Sequence, residues 1–171
     1  ISAEKKRGFA AHSQKFFHIM LIRVLDPIPD TKEEIFMTLG LCMIVRNEEE
    51  VLARCLNSVK DLTDEIVVVD TGSDDATRDI AGKYTDKVYP YRWNFDFAAA
   101  RNYAFSLSSA DYILWLDADD VLLEKDRCAL SELKKKLDGS VNAYYLRYDA
   151  AFDEAGNVTM YFFRERIVKR A

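Results

Sequence analysis

The sequence predicts an α/β domain with an open, mostly parallel sheet flanked by helices. Three runs of apolar residues, many of them β-branched or aromatic, are typical of short strands buried on both faces. They cover residues 39–45, 65–70 and 112–116. Each run ends abruptly in polar or acidic residues, and segments with helical periodicity separate the runs. Such alternation of buried strands and helices is typical of a parallel α/β sheet.

Composition narrows the class of protein. A chain of 171 residues with 49% hydrophobic and 31% charged residues is long enough for one globular domain with a real core. The net charge of −5 argues against nucleic-acid binding, which usually requires an excess of positive charge. The basic stretch at 164–170 is interpreted as a solvated strand face. No apolar run approaches the ~18 residues of a transmembrane segment, and no signal peptide pattern is present.

Three dispersed cysteines without C-x-x-C spacing argue against a disulfide framework or a zinc site. We therefore expect a reducing cytoplasmic location, which includes a position at the inner membrane surface. The chain starts at Ile1 rather than Met, and we expect it to be a fragment of a longer protein.

Residues 1–38 are expected to form an N-terminal helical extension that precedes a domain at 39–171. An apolar stripe with helical spacing runs through residues 3–25, and a segment with two prolines at 26–30 ends it. We expect this helix to pack against the core or against a second copy of the chain, which would give a homodimer. A helix lying on a membrane surface is the alternative.

The elements of the main domain alternate in order. After the first strand, four helices are predicted from apolar residues at helical spacing; they cover residues 51–59, 76–83, 98–107 and 124–137. Asn47 is the expected N-cap of the first helix, and Asp75 or Ser73 that of the second. Besides the three buried runs, three further strands are predicted, with a hairpin turn at 153–157 before the last; they cover residues 87–91, 141–148 and 158–168.

Polar side chains follow three of the predicted strands at the points where the strands end. They are Arg46, Asn47 and Glu48 after the first strand, Asp70, Gly72 and Ser73 after the second, and Asp117 and Asp119 after the strand at 112–116. Because the carboxyl ends of parallel strands lie at one edge of a sheet, and ligands bind there, we expect these clusters to converge.

Asp117 and Asp119 form a D-x-D pattern. In an extended backbone the two carboxylates would point to the same side. Together they suit a hard divalent cation such as Mn²⁺ or Mg²⁺, which keeps open positions for phosphate oxygens. The alternative is a solvated acidic turn after a core strand, but the expected convergence of three polar clusters favours the metal.

Other polar residues at this edge have two interpretations each. Asp70 suits hydrogen bonding to a base or ribose, or caps a helix. Gly72 permits close approach of the backbone to a ligand, or only the positive φ of a turn. Arg101 suits a diphosphate, or forms an ion pair with a neighbouring Asp.

Four ordered motifs resemble those of the family 2 glycosyltransferases, whose GT-A fold has a Rossmann-like, mostly parallel sheet flanked by helices. They are I-V-R-N-E-E at 44–49, V-D-T-G-S-D-D-A-T at 69–77, W-x-x-x-F-x-x-A-R-N at 93–102 and L-D-A-D-D at 116–120. The set is most similar to the lipopolysaccharide-core glucosyltransferase-like and peptide glycosyltransferase-like proteins, and the resemblance covers about residues 39–169. Thr71 departs from the second Asp of the wider family's motif.

The resemblance implies an inverting hexosyltransferase that uses a nucleotide-diphosphate sugar, expected to be UDP-linked. The acceptor would be a glycan, a lipid-linked glycan or a peptide. Arg101 would lie near the diphosphate, Asp117 would contact ribose or the metal, and Asp119 would coordinate Mn²⁺ or Mg²⁺. The nucleoside would be held at the first two polar clusters, namely by Val45, Arg46, Asn47, Glu48, Asp70, Gly72 and Ser73.

The family's general base lies well downstream of the D-x-D, and residues 164–170 resemble the stretch just before it. We therefore expect the general base to be absent from this chain, so that the chain binds donor but transfers sugar poorly. Glu154 and Glu165 are the late glutamates, and neither has a matching sequence context.

Two other classes of function remain open. The segment 117–121 also fits the D-x-D-x-[T/V] motif of haloacid dehalogenase-like phosphatases, with Asp117 as nucleophile. That motif should open its domain, however, and here two βα units precede it. A nucleotide-sugar-binding module without catalysis is the other alternative. A receiver-like domain is disfavoured because its first strand should end in an acidic pair, not in Arg46 and Asn47.

Overall fold

A computed structural model describes residues 15–18 and 37–170 of the chain. Within these residues, eight strands form one sheet in the order β4-β3-β2-β5-β8-β7-β1-β6. The strands are β1 (Lys15–His18), β2 (Leu39–Val45), β3 (Glu65–Asp70), β4 (Val88–Pro90), β5 (Tyr112–Trp115), β6 (Asp120–Leu122), β7 (Ala143–Phe152) and β8 (Val158–Lys169). The helices are α1 (Leu52–Val59), α2 (Thr77–Ala81), α3 (Phe97–Leu107) and α4 (Glu124–Lys134).

The half of the sheet formed by β4, β3, β2 and β5 is parallel, as the sequence predicts. Val45 at the end of β2 pairs with Asp70 at the end of β3, and Cys42 pairs with Trp115 at the end of β5. Asp117 follows Trp115 by two residues. The carboxyl ends of these strands, and the polar residues after them, therefore lie along one edge of the sheet.

Alternate residues of β2 contact different layers, because successive side chains of a strand point to opposite faces. One face of the sheet packs against α1 and α4, and Leu56 of α1 and Leu130 of α4 are buried in that layer. The other face packs against α3, where the small Ala104 lies in a cluster with Cys42 of β2. The sheet is thus covered on both sides where the polar edge is built.

The other half of the sheet is dominated by the β7–β8 hairpin. The turn between these strands is closed by a hydrogen bond from Asp153 N to Asn157 O of 2.9 Å, which confirms the predicted hairpin. The register along the hairpin is interrupted, because Tyr144 pairs with Ile167 whereas Tyr145 pairs with Glu165. Arg166 is therefore the extra residue of a β-bulge. β8 also pairs antiparallel with β5, so this bulge lies beside the end of β5.

The helix predicted over residues 3–25 is wrong at Lys15–His18, which form β1. This strand pairs parallel with β6 and antiparallel with β7, with Phe17 opposite Leu122 and Tyr148. Pairing of one backbone with two strands outweighs the local helical periodicity. The rest of the predicted helix, and with it the expected homodimer and membrane contact, lies outside the described residues.

Two smaller expectations also need correction. Asn47 does not cap α1, because that helix begins after Val51 and has no side-chain cap. The three-residue β6, which starts at Asp120, is not predicted by the sequence pattern.

Within residues 15–18 and 37–170, no helix combines the length and apolar character needed to cross a membrane.

Candidate functional site

The segments that follow β2 and β3 are joined by hydrogen bonds between backbone and side chains. Asn47 N donates to Ser73 Oγ at 2.9 Å, and Asn47 Oδ1 accepts from Asp74 N at 3.0 Å. Glu48 N donates to Thr77 Oγ1 at 2.7 Å. Because each bond crosses from one segment to the other, the first two predicted clusters form a single corner, here called the β2–β3 corner.

Asp70 is the internal support of this corner. Its side chain is 4% exposed, and its carboxylate accepts from Gly72 N at 3.3 Å and from Ser73 Oγ at 2.5 Å. Gly72 has a φ of 109°, in the region that favours glycine, so the turn requires it. Both oxygens of Asp70 are engaged within the turn, and its direct contact with a nucleoside stays a prediction.

A pocket of about 270 Å³ opens beside the β2–β3 corner. Its lining is mainly apolar and comes from the end of β2, the start of the β3 turn and the loop before α3, namely Ile44, Val45, Arg46, Thr71, Trp93 and Phe97. The Trp93 and Phe97 rings meet edge to face, with centroids 4.7 Å apart. A mostly apolar cleft with a few polar groups at its rim suits a planar heteroaromatic ring.

Thr71 and the two aromatic residues change the predicted composition of this site. The Thr71 hydroxyl donates to Val45 O at 3.1 Å, so its hydrogen is used to join β3 to β2. Trp93 and Phe97 are absent from the predicted site residues, although they lie in a motif that the resemblance contains. Aromatic residues in a segment that also contains polar residues are the sequence feature that could have indicated their place in the pocket.

The D-x-D segment bends immediately after β5. Asp120 N donates to Asp117 O at 3.0 Å, and Asp117 N donates to Asp120 Oδ2 at 2.7 Å. These two bonds close a turn over residues 117–120. The extended backbone that would align the Asp117 and Asp119 side chains by simple alternation is therefore not present, and the turn determines their directions.

Asp117 lies between two guanidinium groups. Arg101 Nη2 is 3.3 Å from Asp117 Oδ1, and Arg166 Nη2 is 3.5 Å from Asp117 Oδ2. Both guanidinium groups also stack on Trp115, with Cζ at 4.0 Å and 3.9 Å from the ring centroid. Arg101 therefore lies at the strand edge, as expected. There it forms an ion pair with Asp117, which is the alternative role that the sequence indicates for it.

Arg166 is the residue that the sequence interpretation placed wrongly. The basic stretch at 164–170 was assigned to a solvated strand face, but the side chain of Arg166 is 0% exposed. Its Nη2 is also 3.2 Å from Asp120 Oδ2. The β-bulge explains the difference, because an extra residue breaks the alternation on which the assignment depended.

Burial dominates the electrostatics of this cluster. It raises the pKa of Asp120 to about 7, although the Arg166 guanidinium favours the charged carboxylate. Burial also lowers the pKa of Arg101, and Asp117 opposes that shift. Behind the turn, burial raises the pKa of Cys55 well above its usual value, with Asp120 adding to the effect, so this thiol is inert.

The fit to a divalent cation is partial. Within the part of the chain that the structure describes, no group of three or more His, Cys, Asp or Glu side chains is arranged to hold a metal ion. Asp117 already faces two guanidinium groups, and Asp119 is half-buried beside it in the turn. Hard oxygen donors suit Mn²⁺ or Mg²⁺, but most of the ligands would have to come from a bound phosphate compound.

A model of the family described as "Glycosyl transferase family 2" matches residues 41–167. This match spans most of the chain, so the chain belongs to glycosyl transferase family 2 and has the family's GT-A fold. The resemblance drawn from the four motifs is confirmed. The phosphatase alternative, which depended on Asp117 as a nucleophile, has no support in this family.

Several curated proteins are similar to this chain. The SPbeta prophage-derived glycosyltransferase SunS of Bacillus subtilis is 31% identical over 127 residues, which cover 73% of this chain and 30% of SunS. A TPR repeat-containing protein of Synechococcus elongatus is 50% identical over 99 residues, covering 58% of this chain and 24% of that protein. The chain therefore spans between about a quarter and a third of the length of these relatives.

Solved structures are similar at a lower level. Staphylococcus aureus TarS 1–349 in complex with UDP has 28% identity and a TM-score of 0.44, covering 54% of this chain and 31% of that one. Glucosyl-3-phosphoglycerate synthase of Mycobacterium tuberculosis, with Mn²⁺ and UDP-glucose, has 22% identity and a TM-score of 0.43, covering 48% and 33%. Similarity of this degree carries no argument about the donor or metal of the present chain.

Proposed function

We propose that this chain binds the nucleotide-sugar donor of an inverting hexosyltransferase, with the nucleobase in the aromatic pocket and the diphosphate beside Arg101. The observation that carries the proposal is the position of α3. Phe97 at the start of α3 lines the pocket, and Arg101 lies four residues later, on the same face of the helix and about 6 Å along its axis. One helix therefore links an apolar base pocket to a cationic group.

The β2–β3 corner would hold the nucleoside. Val45 and Arg46 line the pocket directly, whereas the corner residues fix the backbone around it. These corner residues are Asn47, Glu48, Asp70, Gly72 and Ser73. UDP is the proposed nucleotide because of the family resemblance, and a pocket of about 270 Å³ has room for its pyrimidine ring.

The turn over residues 117–120, here called the acidic turn, would face the diphosphate. The proposed ligands of Mn²⁺ or Mg²⁺ are phosphate oxygens, Asp119 and Asp117, and Asp117 would share one carboxylate oxygen between the cation and a guanidinium group. When bound, the cation stabilises negative charge on the leaving diphosphate. Arg101 would contribute to the same stabilisation from the other side of Asp117. Contact with the ribose is the other role proposed for Asp117.

The acceptor side is proposed to lie outside the described residues. A general base must reach the acceptor nucleophile in the reacting complex. Glu154 lies exposed in the hairpin turn, and Glu165 is exposed on β8, with its carbonyl bonded to Trp115 Nε1 at 2.7 Å. Neither is part of the Asp117 cluster. We therefore propose that this chain transfers sugar poorly by itself, and that its acceptor is a glycan, a lipid-linked glycan or a peptide.

A thermal-shift panel tests the donor proposal. The chain is heated with UDP, GDP, ADP and their sugar conjugates, each in MnCl₂, MgCl₂ or EDTA. A rise in Tm for one nucleotide class that depends on the cation, and that Asp119→Ala abolishes, is the expected result. Glu154→Ala removes an exposed carboxylate in the hairpin turn and should leave the shift intact. No shift with any nucleotide would refute the proposal.

A further inference from the structure

Arg166 is a buried charge that connects the turn over residues 117–120 to the end of β5. Its Nη2 lies 3.5 Å from Asp117 Oδ2 and 3.2 Å from Asp120 Oδ2. Its Nη1 donates to Trp115 O at 3.3 Å. A single guanidinium group therefore contacts the last residue of β5, the first acid of the turn and the first residue of β6.

The β-bulge explains how a strand residue reaches this position. The pairing between β7 and β8 leaves out Arg166, because Tyr144 lies opposite Ile167 and the next residue, Tyr145, lies opposite Glu165. Bulges turn side chains away from the regular alternation and are frequent beside active sites. Here the redirected side chain is 0% exposed and stacks on Trp115.

Stability alone does not explain this arrangement. Desolvating a guanidinium and a carboxylate costs several kcal/mol, and replacing a buried ion pair with apolar residues is often neutral or stabilising. Moreover, Asp120 Oδ1 has no hydrogen-bond partner among the described residues, so the ionic cluster is incompletely satisfied. A buried ionic cluster with this cost is better explained by a requirement for fixed geometry than by a requirement for stability.

We propose that Arg166 and Asp120 are positioning residues, which hold the turn over residues 117–120 so that Asp117 and Asp119 face the donor diphosphate. The inference rests on the donor-binding function proposed above and assigns it a buried support. Arg166 orients the Asp117 carboxylate, and Asp120 fixes the turn through its bond from Asp117 N. Neither residue needs to touch the donor.

The test measures UDP binding in saturating MnCl₂ by calorimetry, together with the Tm of the same proteins without ligand. Residues that orient metal-binding groups typically change affinity by about 10–100-fold when substituted, so Arg166→Lys and Asp120→Asn should each weaken UDP binding by about tenfold or more. Arg164→Lys is the matched control, because Arg164 lies on the same strand and stacks on Phe162 at 4.9 Å. It should bind UDP like the wild type.

Rescue separates positioning from a purely structural role. In Arg166→Ala, millimolar guanidinium chloride should partly restore UDP affinity, whereas the same concentration of NaCl should not. If the wild type binds UDP and both Arg166→Lys and Asp120→Asn bind it equally well, the inference is overturned while the donor function stands. A folded Arg166→Ala that guanidinium does not rescue also overturns it. If the wild type binds no nucleotide, the donor function fails and the inference fails with it.

Discussion

Replacing Glu65 by Gln tests the ionic clamp at the amino end of β3, the opposite end of that strand from the candidate site. The Glu65 carboxylate forms an ion pair with Lys87 and accepts hydrogen bonds from Ser108 Oγ, from Ser109 N at 2.9 Å and from Ser109 Oγ at 3.0 Å. It thereby joins β3 to the loop between α3 and β5. The expected effect is a loss of stability whose size depends on pH.

The magnitude follows from the pKa of Glu65. Burial alone would raise this pKa, but the hydrogen bonds from Lys87, Ser108 and Ser109 outweigh burial and lower it from 4.5 to about 2. Lowering the pKa by about 2.5 corresponds to roughly 3–4 kcal/mol at most. Because the Lys87 side chain is 43% exposed and solvent screens the pair, we expect about 1–2 kcal/mol.

The sign of the pH dependence follows from the same shift. The folded-state pKa is depressed, so the stabilisation is fully present above the unfolded-state value of 4.5 and is lost as pH falls towards 2. Urea denaturation across this range should show a decline for the wild type. In Glu65→Gln the free energy of unfolding should be lower by about 1–2 kcal/mol at neutral pH, and its decline in acid should be shallower.

Glu154→Gln is the control for the acid titration, because Glu154 is exposed in the hairpin turn. Its pH profile should match that of the wild type. If Glu65→Gln and the wild type gave the same free energy of unfolding at every pH, the clamp would not contribute to stability and the reasoning from its hydrogen bonds would be refuted.

Two further substitutions test the packing and the backbone. Gly40→Ala should lower the free energy of unfolding, measured in urea, by about 1–3 kcal/mol, because the added Cβ would lie 2.8 Å from Ser108 Oγ. Gly82→Ala is the control and should be tolerated, because its Cβ would have its nearest contact at 3.5 Å; equal stabilities of the two variants would contradict the close packing at Gly40. Phe95 is 89% exposed and has a φ of 64°, a backbone conformation that Asn tolerates better than Phe and that a β-branched residue tolerates worst. Phe95→Asn should therefore raise the Tm and Phe95→Val should lower it, and the opposite order would contradict the inference that the backbone is strained at this residue.

The parallel part of the fold could be predicted because its strands are buried on both faces. The bounds predicted for β2 and β3 agree with the structure at both ends. β1 and β6 could not be predicted in the same way. Each has only three or four residues. β6 is a strand because it pairs with β1, and β1 because it pairs with β6 and β7, although about a hundred residues or more separate β1 from these partners in the chain. Such long-range pairing leaves no local periodicity in the sequence.

The candidate site was predictable where residue type alone determines the chemistry. Acids after a buried strand and an arginine on the helix before that strand identified Asp117 and Arg101, which the structure places 3.3 Å apart. Arg166 was missed because its position depends on a β-bulge, which a residue pattern does not reveal. The turn at Asp117 was also missed, because the two hydrogen bonds that close it, one donated by Asp120 N and one donated by Asp117 N to the Asp120 carboxylate, are not visible in a residue pattern.

The arrangement of charges at the strand edge would allow the small acidic turn to accommodate the anionic donor proposed above. Asp117, Asp119 and Asp120 carry up to three negative charges, and Arg101 and Arg166 carry two positive charges beside them. A nucleoside diphosphate adds about two or three negative charges, and a divalent cation adds two positive charges. Binding both together therefore changes the net charge of the site little. Binding either one alone would leave an unbalanced charge next to the buried ionic cluster. For this reason nucleotide and metal should bind cooperatively rather than independently.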